Sequence, residues 1–258
     1  MMELIWQRDM VYDPACPEAC RMEICTPEGV NRPPLFLYFH GGGLEGGSYS
    51  IGPNLQYLAR KHGIAVASAE YRMYPSARFP DFVQDAARAA AYLLNELRAR
   101  EKYSAVYVGG SSAGGYLSMM LCFAEDYLRR AGADASLIDG YVLDAGQPTT
   151  HYNILRERGL DTRLVRVDEA APLWYITESF KDKPTAPLLI LAADNDMPGR
   201  MEQNRVLHST LLHFDYPPEK ITFRLMEGFG HCAYNSARDE AGRYIFAEII
   251  AAFIRSHG

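Results

Sequence analysis

The chain has 258 residues and a mass of 28.9 kDa, with 48% hydrophobic and 22% charged residues and a formal net charge of −6. These proportions are those of a folded globular protein; they exclude disorder, collagen and coiled coil as the main class, and the acidic balance leaves no general basic surface for nucleic acid. No apolar run approaches the roughly 18–20 residues that span a bilayer, and residues 1–9 lack the cationic start and apolar stretch of a secretory signal.

Segments 3–6 and 21–26 have no helix between them and read as an antiparallel hairpin at a sheet edge. Residues 35–39 form an apolar run ending at His40-Gly41-Gly42-Gly43, a buried strand entering a glycine loop. A short helix over 53–62 is stopped by Gly63, and 64–69 is the next strand. Val83, Ala86, Ala87, Ala90, Leu93, Leu94 and Leu97 recur at helical spacing, predicting a helix over 81–101 with Pro80 at its start. A strand at 105–108 meets the glycine-rich turn 109–115, and a helix over about 115–130 follows. Strands are expected at 138–144, 187–193 and 221–226, and helices at 200–214 and 237–255. Residues 145–185 are polar and irregular, with one short helix near 167–178. Strands alternating with helices imply a mostly parallel central sheet with helices on both faces. The expectation is one α/β domain over 1–258 with a small lid at about 145–185.

Tyr244, Phe246, Ile249, Ile250 and Phe253 give the last helix an apolar face, read either as core packing alone or as also joining a homodimer. Five cysteines are too few and too odd for a disulfide framework. Cys16, Cys20 and Cys25 lack a CxxC pair or a following histidine and fit zinc poorly. They are read as reduced structural thiols in a cytoplasmic protein, with no metal.

The strongest chemical signal is Gly110-Ser111-Ser112-Ala113-Gly114, a G-x-S-x-G between a predicted strand and a predicted helix, the context this motif needs. Small neighbours let the backbone turn sharply and present the Ser112 hydroxyl at the sheet's C-terminal edge. The helix N-terminus behind it favours developing negative charge. The bland alternative is a glycine-rich turn that cradles phosphate. The glycines after His40 imply unusual dihedrals and N–H groups turned inward. A carbonyl oxygen becoming anionic needs at least two such donors, and the loop plus the residue after the nucleophile nominates Gly42, Gly43 and Ala113. His40 is read as a brace for the loop.

A serine nucleophile needs a base, and the base an orienting acid, in the chain order Ser, Asp or Glu, His. His208 and His213 fall in a helix, His257 at the terminus and His151 in the lid, whereas His231 sits in a glycine-flanked loop beyond the last predicted strand. His231 is therefore the expected base. Of Asp194 and Asp196, the second lies two residues farther past its strand and is the expected acid, with Asp194 shaping the turn.

Taken together, these residues resemble the α/β-hydrolase family, in particular its hormone-sensitive-lipase-like and carbohydrate-acetylesterase-like carboxylesterases. His40-Gly41-Gly42-Gly43 is similar to their oxyanion motif, 110–115 to their G-D-S-A-G-G elbow, and 70–75 with Phe79-Pro80 and Asp85 to their Y-R-L-x-P…F-P…D segment. Ala192-Ala193-Asp194-Asn195-Asp196 resembles the loop carrying their acid. The resemblance covers roughly residues 33–255. It implies ester hydrolysis by Ser112, His231 and Asp196, with Gly42, Gly43 and Ala113 as oxyanion donors and no cofactor. Three departures stand out. Ser111 replaces the usual Asp, Cys232 follows His231 instead of the common H-G-F, and with 39 residues before His40 the N-terminal cap typical of the lipase-like members is expected to be largely missing.

An uncapped site suits short acyl groups on a bulky alcohol such as a sugar. Tyr74, Tyr116, Tyr152, Trp174 and Tyr175 are candidates to line the entrance and stack on such a group. The expected partner is a small-molecule ester, with no nucleic acid and no membrane. An amidase, peptidase or arylformamidase of the same fold would use the same residues, and a non-catalytic hydrolase-fold binding protein is the remaining alternative.

Overall fold

Apolar runs bounded by glycine and proline become strands because their side chains can be buried on both faces of a sheet that helices cover. The computed structural model describes residues 1–98 and 102–258. Its strands are β1 (Leu4–Val11), β2 (Arg21–Pro27), β3 (Leu35–Phe39), β4 (Ala65–Ala69), β5 (Val106–Ser111), β6 (Gly140–Asp144), β7 (Leu188–Asn195) and β8 (Ile221–Gly230). They form one sheet in the order β1-β2-β4-β3-β5-β6-β7-β8. β1 and β2 pair antiparallel, as do β2 and β4; all other pairs are parallel. The N-terminal hairpin thus lies at an edge, as expected. The β1–β2 register breaks between Gln7 and Met10, where Asp9 takes a φ of 51° and accepts the Tyr49 hydroxyl at 2.7 Å.

The helices are α1 (Pro53–His62), α2 (Asp81–Tyr92), α3 (Ala113–Phe123), α4 (Asp126–Arg130), α5 (Tyr152–Glu157), α6 (Arg200–His213) and α7 (Ile245–His257). Successive strand residues face opposite cores. Leu35, Leu37, Val106, Val108, Leu143 and Ile190 pack under α2, α3 and α6. Phe36, Val66, Tyr107, Val142 and Leu189 pack under α1 and α7. Phe246, Ile249, Ile250 and Phe253 of α7 are all buried in this second core. Cys20 faces the first core and Cys25 the second, so the sheet separates them, and all five cysteines are free. No helix among the described residues is long and apolar enough to cross a membrane.

Several boundaries move from their sequence expectations. β5 continues through both glycines to Ser111, paired along its length with β3 and β6. β8 runs on to Gly230 because β7 itself extends far enough to pair Asn195 with it. The helix expected over 81–101 turns π-helical at Leu93–Arg98, and its last three residues lie outside the described ones. The helix expected to 130 breaks at Ala124, leaving α3 and α4. Residues 237–244 form a tight loop closed by Ile245 N–H on the Ala237 carbonyl, so the last helix starts at Ile245. Within 145–185 the helix is α5, whose first turn is capped by His151 Nδ1 accepting from Asn153 N–H at 3.2 Å; only a 3₁₀ turn, Pro172–Tyr175, forms near 167–178.

Two carboxylates pin the irregular segments. Asp85 of α2 is fully buried and accepts from Arg72 N–H (3.0 Å), Nε (2.8 Å) and Nη2 (2.8 Å) and from Arg88 Nη1 (3.0 Å). These bonds hold the Arg72 guanidinium above its ordinary pKa. Asp168 ties down the β6–β7 connection by accepting from Thr150 Oγ1 (2.8 Å), Ala170 N–H (3.0 Å), Arg158 Nη1 (2.8 Å) and Arg166 Nε (2.5 Å). Burial pushes the Asp168 carboxyl up, but the Ala170, Arg166 and Thr150 hydrogen bonds and the Arg158 charge outweigh it and hold the group below its ordinary value.

Removing one partner of a buried ion pair typically costs about 3 kcal/mol or more. Asp85→Ala should therefore lower the urea midpoint and reduce Tm by roughly 6–10 °C. For Asp168 the folded carboxyl binds its proton at lower pH than the unfolded one. Its stabilisation is in force above the ordinary carboxylate value of about 4 and is lost as pH falls through the lower folded value. Trp174 lies on the same segment, so a Trp6→Phe protein should change its tryptophan emission below about pH 4 before its far-UV circular dichroism changes. Asp168→Asn should show the altered emission already at neutral pH.

Candidate active site

The ends of β3 and β5 are neighbours, yet β3 leads on to β4 on one side and β5 to β6 on the other. A crevice opens at such a reversal, outside the carboxyl ends of the strands. Each strand end delivers one loop to it.

After β5 the backbone turns at Ser112 with φ 57° and ψ −113°, a conformation costly for a residue with a Cβ. Ser112 N–H donates to the Asp144 carbonyl at 2.8 Å, and the Ser112 carbonyl accepts from Tyr116 N–H at 2.9 Å. Gly114 permits this close turn: a Cβ there would stand 1.8 Å from the Phe39 carbonyl oxygen. α3 begins at Ala113, so its N-terminus faces the crevice.

Ser112 Oγ lies 2.7 Å from His231 Nε2, and His231 Nδ1 lies 2.6 Å from Asp196 Oδ1. A carboxylate can only accept, so Nδ1 carries the proton and Nε2 accepts the Ser112 hydroxyl. The Asp196 side chain is 1% exposed, and the same oxygen takes Met197 N–H at 2.6 Å. Asp194 points elsewhere, accepting Gly228 N–H at 2.8 Å and so holding the start of the His231 loop against β7. His208 stacks on Phe223, His257 bonds the Phe253 carbonyl, and His151 is buried among Tyr116 and Tyr152.

The loop after β3 carries Gly42 at φ 119° and Gly43 at φ 66°. A Cβ on Gly42 would stand 1.9 Å from the Gly46 carbonyl oxygen. The Gly42 carbonyl accepts from Glu45 and Gly46 N–H, and the Gly43 carbonyl from Asn153 Nδ2 at 2.9 Å. The N–H groups of Gly42, Gly43 and Ala113 have no protein acceptor among the described residues. His40 sits beneath the loop, with Nε2 2.6 Å from Glu70 Oε1, Nδ1 2.7 Å from the Gly41 carbonyl and its ring stacked on Tyr71 at 4.5 Å. Those contacts are those of a brace.

Ser112 and His231 open into a cleft of about 430 Å³ walled by the Gly41–Gly43 loop, Tyr38, Tyr152, Met197, Cys232 and Asn235. Of the aromatic residues expected at the entrance, only Tyr152 lines this cleft. Tyr116 is fully buried and donates its hydroxyl to the Ala170 carbonyl, because α3 points it into the core. Tyr74, Trp174 and Tyr175 stand outside the wall; Trp174 is exposed, and the Tyr175 hydroxyl is spent on the Glu169 carbonyl. A larger groove of about 1010 Å³ lies at the opposite ends of the strands, around Cys122, Asp139, Tyr141 and Pro187, and contains neither Ser112 nor His231.

The sequence profile described as alpha/beta hydrolase fold matches residues 36–203, well over half of the chain. The chain belongs to the alpha/beta hydrolase fold family. It is 30% identical over 168 residues to the carboxylic ester hydrolase LipN of Mycobacterium tuberculosis, a match spanning 62% of this chain and 43% of the relative. It is 27% identical over 152 residues to tuliposide A-converting enzyme 2 of Tulipa gesneriana, spanning 53% and 37%. The chain thus spans less than half the length of these curated relatives. Among solved structures it is similar in fold to a truncated carbohydrate esterase from gut microbiota, with a TM-score of 0.78 and 16% identity over 98% of this chain and 96% of the other.

Beneath the elbow of this alpha/beta hydrolase lies a polar cluster that sequence reading missed. Ser111 Oγ donates to Asp144 Oδ2 at 2.5 Å, Asn235 Nδ2 donates to the same oxygen at 3.1 Å, and the Tyr234 hydroxyl donates to Oδ1. Burial pushes the Asp144 carboxyl up, while bonds from Ser111, Tyr234 and Asn235 pull it back part of the way. Asp at the end of an apolar strand was a visible signal; its partners, 33 to 91 residues away, were not. Arg200, the first residue of α6 and four residues past Asp196, is also buried and donates to the Ala145 carbonyl and Gln147 Oε1, with the Asp196 charge offsetting part of its burial.

Cys232 occupies the left-handed region at φ 54° and lines the cleft. Burial, with Asp144 and Asp196 nearby, pushes its thiol far above the ordinary range, so the thiolate is scarce. Alkylation of native protein by iodoacetamide at pH 8, followed by peptide mass spectrometry, should leave Cys232 unmodified while Cys16 reacts; in urea all five cysteines should react.

Proposed function

We propose that this chain is a serine hydrolase of carboxylic esters. The observation that carries the reading is the strained Ser112 with His231 and Asp196 relayed behind it at 2.7 and 2.6 Å. In this reaction Ser112 Oγ attacks the ester carbonyl as His231 Nε2 takes its proton. Asp196 keeps the imidazole in the required tautomer and stabilises the imidazolium. The carbonyl oxygen becomes negative against the N–H groups of Gly42, Gly43 and Ala113, at the N-terminus of α3. His231 then gives its proton to the leaving alkoxide, and water attacks the acyl-enzyme by the same route in reverse.

The match to a carboxylic ester hydrolase supports the ester over other acyl substrates. The compact cleft supports a short acyl group on a small-molecule ester, with an acetylated sugar as the alcohol class that the tyrosine-lined wall favours. The β6–β7 connection serves as the cover, since Tyr152 lines the cleft and Asn153 holds Gly43. Five free cysteines support a reducing, cytoplasmic setting.

The test is hydrolysis of 4-nitrophenyl acetate, butyrate and octanoate by wild type and Ser112→Ala. Turnover should fall with chain length, and kcat on the acetate should drop by about 10⁴-fold or more in the variant. Full activity in Ser112→Ala would sink the mechanism.

A further inference from the structure

None of the steps above uses Asp144, although it lies directly beneath them. It ends β6, is wholly buried, and pairs across the sheet with Ser111. Its main-chain oxygen takes Ser112 N–H at 2.8 Å, and its carboxylate takes the Ser111 hydroxyl at 2.5 Å. The same carboxylate takes Tyr234 and Asn235, which lie three and four residues past His231. Asn235 Nδ2 closes the circuit by donating to Ser111 Oγ at 2.8 Å. One residue therefore grips both halves of the site, the elbow and the loop of the base.

A carboxylate buried without a direct cationic partner is costly, and apolar side chains would fill the same space more favourably. Its three donors come from the two segments that must meet, and from nowhere else among the described residues. The His231 loop also needs an anchor of this kind, because it passes through the left-handed Cys232 directly after the base. We propose that Asp144 is a positioning residue that sets the separation of Ser112 Oγ and His231 Nε2 by fastening the elbow and the base loop to one fixed carboxylate. The inference rests on the reading of Ser112 as nucleophile.

The test compares Asp144→Asn, Tyr234→Phe and Asn235→Ala with wild type. The readouts are Tm, the fraction of protein labelled by a fluorophosphonate serine probe, and kcat and KM on 4-nitrophenyl acetate. Small misplacements of reacting groups cost up to about 100-fold in rate. Accordingly, kcat per labelled site should fall about 10- to 100-fold in Asp144→Asn and about 3- to 10-fold in each of the others, with KM within about twofold. Losses that follow only the labelled fraction, with kcat per labelled site unchanged, would make Asp144 a purely structural residue and overturn the proposal. If Asp144→Asn does not fold, the other two variants decide, since both keep the carboxylate: wild-type kcat per labelled site in both overturns it. Wild-type protein that takes neither probe nor ester overturns the hydrolase reading itself, and this inference with it.

Discussion

The site depends on how closely two stretches of bare backbone approach each other. A Cβ on Gly114 would stand 1.8 Å, and one on Gly110 2.5 Å, from the Phe39 carbonyl oxygen at the end of β3. Because neither residue has one, the turn after β5 can lie down against β3. With that contact in place Ser112 takes its positive φ of 57° with ψ −113°, and α3 starts at the next residue with its N-terminus at the crevice. It also brings the Gly42–Gly43 loop, which leaves the end of β3, beside the Ser112 hydroxyl. A single methyl group at Gly114 would lift the elbow away from the N–H groups that the proposed reaction needs.

The loops around this contact bury apolar anchors such as Leu44, Tyr71, Ile154 and Ile176, and buried polar groups fix their course as well. Glu70 and Tyr71 hold His40 under the glycine loop, Asp85 holds the segment around Arg72, and Asp168 holds the β6–β7 connection. Such pairs contribute little net stability compared with well-packed apolar residues, because desolvation offsets most of their attraction. Their value in this chain is directional. A carboxylate with three or four donors accepts only one arrangement of the segments that supply them, whereas an apolar contact tolerates sliding.

The parts legible in the sequence are those carried by local pattern. G-x-S-x-G between a strand and a helix, three glycines after a strand, and a histidine past the last strand each announce themselves within a few residues. Of the side chains they nominate, Ser112 stands within hydrogen-bond reach of His231, and His231 within reach of Asp196, the carboxylate expected past the end of β7. What could not be read were contacts between segments distant in sequence. Asp144 finds Ser111 only because β5 and β6 pair in one register. Of the expected entrance residues, Tyr116 is turned into the core by helical geometry while Tyr152 takes the cleft. The last helix starts at Ile245 and not at 237 because Arg238 and Tyr244 pair across the loop before it, a contact that local pattern does not reveal.

The kink in β1 bears on how copies of this protein behave at high concentration. An outer strand with unpaired N–H and C=O groups invites a second molecule to continue the sheet. Here the ladder is interrupted between Gln7 and Met10, Asp9 is held out of extended geometry and tied to Tyr49, and Glu3, Arg8 and Asp9 place charges of both signs along the margin. An incoming strand would meet a gap in the ladder and unmatched charges within a few residues. The outermost strand is thereby built as a stop, which favours discrete particles over fibrous growth from that side of the molecule.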